Sequence, residues 1–295
     1  MTVKPGLNVT RLRIVYELSR RGSVTAVAEA LWMTPSAVSQ HLAAFERETG
    51  TKLVERAGRG VRLTSAGRTL AEHGANVIAA LDAADAALAA VSEAPSGRLR
   101  VAAFPSVVRR LLPAALAQLR AAHPELVVEI EDLEGAQGLD AVRSGRVDLA
   151  VVDDWGWDAG ASRAGLDVAE LFEDPLVVVL PRGHRLTERS EVEWAELEDE
   201  PFILEPRTSL FSQAVASACR RAGFEPRVLA RVHDLGAMLA LAEAAGYVCV
   251  LPALAVDDQP LEQRPLVPPV KRRLLAATRP GHHDLPAVKA LLAAL

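Results

Sequence analysis

The chain has 295 residues, half of them hydrophobic, 4% aromatic and 24% charged; this excludes global disorder and calls for a core of Ala, Val and Leu. Two cysteines, Cys219 and Cys249, exclude a disulfide framework at this length, and roughly 100–200 residues per domain implies two or three domains. The net charge of −5 is uneven: residues 1–70 carry 11 Lys/Arg against 5 Asp/Glu, net +6, and residues 71–295 carry 22 against 33, net −11, a basic front suited to a polyanion on an acidic body.

The N-terminus MTVKPGLNVT has no apolar run of signal-peptide length, so a cytosolic protein is expected. Leu12, Val15 and Leu18 share one face of a first helix that stops near Gly22. Ser23 caps a second helix with Val24, Val27, Ala28 and Leu31 inward, followed by the turn Trp32-Met33-Thr34. Thr34 as N-cap and Pro35 at the first helical position start a third helix, which packs Val38, Leu42 and Phe45 inward and ends at Gly50.

Two short helices around a tight turn form a helix-turn-helix, whose second helix enters the major groove by its N-terminal end. That end offers Thr34, Pro35, Ser36, Ser39, Gln40 and His41; Gln pairs bidentately with adenine, and Ser bonds to bases or phosphates. Residues 52–56 and 61–63 read as two strands around Ala57-Gly58-Arg59-Gly60, with Arg56, Arg59 and Arg62 placed for phosphate or minor groove. A small helical bundle with a merely polar face is the alternative. Thr64 caps a long helix reaching about Val91, along which Leu70, Gly74, Val77, Leu81, Ala84, Leu88 and Val91 follow alternating steps of 4 and 3, a heptad seam for dimerisation. The same face could instead pack on its own domain.

The run GSVTAVAEALWMTPSAVSQHLAAFERETGTKLVERAGRGVRLTSAG (residues 22–67) resembles the DNA-binding domain of LysR-type transcriptional regulators, whose pattern is approximately GS-hydrophobic-x-x-AA-x-x-L, then S-x-S-A-V-S-x-x-I-x-x-LE, G-x-x-LF-x-R and LT-x-AG. Val15 and Val54 stand where the family usually has Phe, Val27 where it has Ala, and Gln40 where Arg is frequent. The last is base-facing and bears on the DNA sequence preferred. The resemblance implies a winged helix-turn-helix over residues 1–63, a linker helix over 64–92 through which the family dimerises, and a hinge at 93–97.

Beyond the hinge, strands at Arg98–Phe104, Leu126–Ile130, Asp148–Val152, Leu176–Leu180, Val228–Val232, Val248–Leu251 and Arg273–Thr278 alternate with helices at Val107–Ala122, Leu139–Gly145, Ser209–Ala222, Leu235–Ala245 and Leu285–Leu295. Such alternation implies an α/β domain with a parallel sheet. Residues 237–256 carry a single charge, Glu243, but Gly246 and Pro252 interrupt them; a helix and a buried strand explain them better than a membrane span. LLPAALAQLRAAHPELVVEIEDLEG, LDAVRSGRVDLAVV, DPLVVVLPRGHRL and AGYVCVLP resemble the family's effector-binding domain, two lobes like those of periplasmic binding proteins. The resemblance places lobe I at about 98–173 and 263–295 and lobe II at about 174–262.

Ligands of α/β sheets bind at the carboxyl ends of strands. The candidates are Ser106 and Val107, Asp153 and Trp155, Arg207, Thr208 and Ser209, and His233 and Asp234, with Tyr247 reaching toward the cleft. Family effectors are commonly small and often anionic, held by a Ser/Thr in each lobe; Ser106, Thr208 and Ser209 correspond, and Arg207 would pair a carboxylate. Ordinary helix capping competes for Ser106 and Thr208. Cys219 lies beside Arg220 and Arg221, which would lower a thiol pKa, and some family members sense peroxide; Cys249 reads as inert core. His282-His283-Asp284 lacks partners at metal-ligand spacing. No nucleophile elbow, P-loop or dinucleotide fingerprint occurs.

The expectation is therefore a cytoplasmic LysR-type regulator, not an enzyme, without metal or cofactor. It would bind double-stranded DNA as a homodimer assembling to a homotetramer, respond to a small-molecule effector and contact RNA polymerase, with no membrane association. The rival is an α/β enzyme or small-molecule-binding protein with a fused helical dimerisation module.

Overall fold

In the computed structural model, which describes residues 7–57, 60–90, 94–155, 165–256 and 261–295, the chain begins with α1 (Val9–Arg21). Gly22 (φ 70°) ends it in the left-handed conformation, its N–H bonded to the Leu18 carbonyl. Ser23 Oγ accepts from the Ala26 N–H to open α2 (Val24–Ala30), and Thr34 Oγ1 accepts from the Ala37 N–H to open α3 (Pro35–Thr49). Leu12, Val15, Leu18, Val27, Val38, Leu42 and Phe45 bury together in one core. The apolar spacings of the three helices are thus spent on each other.

Strands β1 (Val54–Ala57) and β2 (Gly60–Leu63) form an antiparallel wing; Arg59, expected at its tip, lies outside the described residues. Glu46 joins the wing to α3. Its carboxylate accepts from the Leu53 and Val54 N–H groups and pairs with Lys52 at 2.8 Å. Helix α4 (Ser65–Ala90) opens at Thr64, whose Oγ1 accepts from the Gly67 N–H and donates to the Lys52 carbonyl. A Cβ on Gly67 would sit 2.2 Å from the Leu53 carbonyl oxygen, so only glycine lets helix and wing approach here.

The heptad seam is shorter than expected. Leu70 packs on the winged-helix core and Gly74 abuts Leu12 of α1: the first two seam positions serve the chain's own domain. Val77 (42% exposed) and Leu81 (39%) face outward; the side chain of Leu88, and Val91 entirely, lie outside the described residues.

The remaining residues form β3 (Gly97–Ala103), α5 (Pro105–Arg110), α6 (Leu112–Ala122), β4 (Leu126–Asp132), α7 (Gly135–Arg143), β5 (Leu149–Asp153), β6 (Asp167–Leu180), β7 (Val192–Glu193), β8 (Pro201–Leu204), α8 (Leu210–Arg221), β9 (Arg227–Arg231), α9 (Leu235–Ala245), β10 (Val248–Pro252), α10 (Ala253–Val256), β11 (Glu262–Val267), β12 (Lys271–Thr278) and α11 (Pro286–Ala294). The strand order is β4-β3-β5-β12-β6-β10-β8-β9, with β11 on β6 and β7. Contrary to the expectation of a parallel sheet, it is mixed. β3 pairs parallel with β4 and β5, and β8 with β9 and β10, whereas β12 and β6 run antiparallel to their neighbours.

One strand serves both lobes. β6 pairs with β12 along Asp167–Pro175 and with β10 and β11 along Leu176–Leu180. The outward crossing falls at 175/176, near the expected boundary. The return boundary at 263 is corrected: β11 pairs with β6 and β7, so lobe II extends through Val267 and the chain re-enters lobe I before Lys271. Each lobe buries apolar residues on both faces of its sheet. Residues 237–256 fold as α9, β10 and α10, and no helix among the described residues is long and apolar enough to cross a membrane.

Candidate DNA interface and effector cleft

The recognition surface is the side of α3 left over by core packing. Thr34, Pro35, Ser36, Ser39 and Gln40 are exposed, and His41 is half-buried one step round the helix. Ser39 Oγ donates to the Pro35 carbonyl at 2.9 Å, leaving its lone pairs for an incoming donor. On the wing, Arg56 is exposed and pairs with no carboxylate among the described residues. Arg62 differs: its Nε donates to the Glu55 carboxylate of the opposed wing residue at 2.8 Å, so its charge is already balanced. Burial pushes the Glu46 carboxyl up, but the Lys52, Val54 and Leu53 donors outweigh it and hold it below its usual value. Glu46 was not anticipated, because its partners lie beyond the helix end that the spacing defines.

The second candidate site lies where the strand ends of the two lobes meet. Its centre is Arg272, which sequence reasoning missed. Its Nε and Nη2 both donate to Asp174 Oδ2, at 2.9 and 2.7 Å, and Nη2 also donates to Ser106 Oγ at 2.8 Å. Nη1 stands 3.5 Å from Asp153, and the guanidinium lies 4.7 Å from the Phe104 ring centroid. Asp174 and Arg272 are cross-strand partners in β6 and β12, and both are buried. Alternation along β12 holds the only signal for this role: Lys271 and Arg273 find acidic partners on one face, while Arg272 points inward with Leu274.

Ser106 sits in the first turn of α5; the N-cap position is Phe104, so capping does not explain Ser106. Asp153 ends β5, accepts from the Trp155 N–H, and is pushed up to about 6, chiefly by burial and against the attraction of Arg272. Trp155 leans on the lobe II core with its ring 5.9 Å from Phe211, and its buried Nε1 has no acceptor among the described residues. Ser209 caps α8 and donates to the Glu205 carboxylate. The exposed His233 has Nδ1 4.0 Å from the same carboxylate, and Asp234 caps α9. Glu134, at the N-cap of α7, is raised by burial and then by Asp153, Glu205 and Asp132, with His233 opposing. Carboxylates from both lobes therefore share this edge.

Two expectations fail here. Val107 is wholly buried in the lobe I core, because the first turn of α5 points it at the sheet. Tyr247 packs at the amino end of β10, whereas the cleft lies at the carboxyl ends of the parallel β8 and β10. Arg207 and Thr208 lie exposed in the turn before α8, and Ser209 takes the cap expected of Thr208. Cys219 and Cys249 are fully buried and burial pushes each thiol up to about 12, so neither offers a thiolate. His282 faces Arg279 at 3.2 Å, and no group of metal-ligating residues occurs among the described residues.

A winged helix-turn-helix, a long linker helix and two lobes sharing a crossed pair of strands define a DNA-binding regulator with an effector-binding domain. The model of the bacterial regulatory helix-turn-helix protein, lysR family, matches residues 9–68, and that of the LysR substrate binding domain matches residues 92–295. The chain belongs to the LysR family of transcriptional regulators. It is 29% identical over 276 residues to a probable hydrogen peroxide-inducible genes activator of Mycobacterium avium (92% of this chain, 85% of the relative). It is 28% identical over 244 residues to the HTH-type transcriptional regulator ClcR of Pseudomonas putida (82% and 81%). In fold it is similar to a full-length OxyR variant from Pseudomonas aeruginosa (TM-score 0.68, 22% identity, 98% of this chain and 95% of that one). It is also similar to full-length CbnR complexed with its target DNA (TM-score 0.56, 21% identity, 97% and 98%).

Proposed function

We propose that this regulator reads its operator with Ser36 and Gln40 on base edges and with Thr34, Pro35, Ser39, His41 and Thr64 along the backbone, while Arg56 and Arg59 meet phosphates or the minor groove. The observation that carries this reading is the exposed polar N-terminal half of α3 beside an unbalanced wing arginine. Val77 and Leu81, with Leu88 and Val91 continuing their spacing, supply the dimer contact, and dimers assemble to a tetramer. The protein acts in the cytoplasm on RNA polymerase, with no catalytic role and no cofactor.

Its effector binds between the lobes, against Ser106, Asp153, Trp155, Ser209, His233 and Glu205. Arg272 is already engaged by Asp174 and Ser106, and Glu134, Asp153 and Glu205 outnumber it. That charge favours a ligand bringing an amine or several hydroxyl donors over the anionic class common in the family. Titration of the full chain against a random duplex library and a scrambled control, at two salt concentrations, tests the DNA reading; failure to enrich any sequence refutes it. A thermal-shift panel of amines, polyols and carboxylic acids tests the effector reading, and stabilisation by carboxylates alone refutes the charge argument.

A further inference from the structure

The outer face of α1 and the turn before α3 do not face solvent alone; they rest on lobe I of the same chain. Arg13 Nη1 donates to the Ser144 carbonyl at 3.1 Å, just beyond α7. Arg20 and Arg21 approach the Asp140 carboxylate at 3.4 and 3.9 Å. The Arg146 guanidinium lies 5.9 Å from the Trp32 ring centroid, a cation–π distance, and Trp32 is held at φ 54°, a conformation uncommon for a bulky residue. Gly145 (φ 74°) completes the fit: a Cβ there would lie 3.1 Å from Arg13 Nη1.

Asp140 is the keystone of this contact. It also pairs with Arg143 at 3.1 Å, and Arg143 feels the like charge of Arg20. One carboxylate thus holds guanidiniums from two domains together, and without it they repel across the seam. None of the residues named here belongs to α3, so the contact leaves the recognition helix free and fixes only its direction.

We infer that this contact is an interdomain latch, in which α1 and the helix-turn-helix turn dock on α7 and residues 144–146 of the same chain and so set the angle at which α3 meets DNA. Helix α7 suits the role because its other end is Glu134, at the interlobe cleft. It is seated tightly on β5, where a Cβ on Gly138 would lie 3.2 Å from Val152 Cγ1. Coupling of the latch to the cleft rests on the effector reading above; the latch itself does not.

Tyr16, in α1 between Arg13 and Arg20, lies near enough to Arg143 to act on its charge; the full chain carrying Tyr16→Cys and Arg143→Cys is treated with a short bismaleimide, and the native thiols are buried and do not compete. A cross-link within one chain is expected, and its absence, or a link formed only between chains, overturns the latch. Asp140→Ala and, from the other side, Arg20→Gln are then titrated against the duplex that the wild-type chain selects best; Arg21 is kept because it also pairs with the buried Glu17. Loss of the partly exposed pairs across the seam is expected to shift affinity about threefold to fivefold, or to change the footprint length, with an unchanged melting temperature. Affinity and footprint identical to wild type in both variants overturn the regulatory role. A wild-type chain that selects no duplex refutes the DNA-binding assignment instead, and the cross-link still decides whether the domains are latched.

Discussion

Asp153→Asn isolates the most strained charge in the cleft. Asp153 moves from an ordinary 3.8 to about 6, mainly through burial. A folded-state pKa above the unfolded value means that the native state binds the proton more tightly, so this group's contribution to stability is fully present below about pH 4 and is lost as pH rises through 6. The move from 3.8 to about 6, at roughly 1.4 kcal/mol per tenfold change in proton affinity, places the total loss near 3 kcal/mol, of which about 1.3 kcal/mol falls between pH 5 and pH 7. Asparagine stands in for the protonated form, and its Oδ1 still accepts from the Trp155 N–H. The variant is therefore expected to be more stable than the wild type at pH 7, by an amount that shrinks toward zero near pH 4. Urea unfolding of both proteins at half-unit pH steps measures the difference, in which groups that do not feel Asp153 cancel; Glu134, which the Asp153 charge also raises, is relieved in the variant and adds to the difference in the same sense. A difference flat across that range, or a variant less stable at pH 7, refutes the assignment of burial as the dominant force on Asp153.

Gln40→Ala is expected to change which base is preferred at one operator position, with a cost of about 1–3 kcal/mol on the best duplex and little on others; equal losses on all sequences would show that Gln40 touches only the backbone. Arg56→Ala is expected to weaken binding to every duplex and reduce the salt slope by about 1, whereas Arg62→Ala, whose charge Glu55 balances, changes the slope much less; identical slopes for the two variants would contradict that contrast. Arg272→Met strands the buried Asp174 carboxylate and is expected to cost about 3–5 kcal/mol in urea unfolding, with a loss under about 1 kcal/mol showing that the pair is dispensable. Cys219→Ser with Cys249→Ser is expected to leave the response of DNA binding to added peroxide unchanged, since neither thiol is exposed or ionised; a response lost in that variant would reveal a reactive thiol.

The DNA-binding half was legible because its signals are local. Ser23, Thr34 and Gly50 cap helices within three residues of where they stand, and the apolar spacing of α3 decides which of its residues remain outside. Helix α9 matches the expected Leu235–Ala245 residue for residue for the same reason. Two of the missed strands have the opposite property. The first half of β6, DVAELFEDP, and the strand β11, EQRPLV, carry charges and proline that hide the period of two. They become strands because β12 and the second half of β6 offer them ladders. The strand-end rule points to Ser106 and Asp153, which the structure brings together at Arg272, but it does not say which way a first helical turn points, and so it names the buried Val107 as well. Arg272 lies 98 residues from Asp174 and 166 from Ser106, so no window of sequence contains its environment.

That environment ties the cleft to the crossing between lobes. Asp174 stands two residues before β6 leaves lobe I for lobe II, and its Oδ1 accepts from the Leu254 N–H at the start of α10. The guanidinium that neutralises it also holds Ser106 and faces Asp153 on the lobe I side. On the lobe II side, Trp155 already reaches across to Phe211. A ligand entering here meets groups whose hydrogen bonds are committed to the crossing strands, and a buried donor or acceptor cannot be released without a replacement. The ligand contacts proposed at Ser106 and Asp153 would therefore redistribute bonds at the crossing between the lobes, in a place where only differential affinity for two lobe arrangements can shift their populations. Because Asp153 titrates near 6 in this arrangement, its proton is one such difference: a ligand donor that pairs with the carboxylate relieves the burial cost which otherwise favours protonation, and so stabilises the charged form only in the arrangement that encloses it.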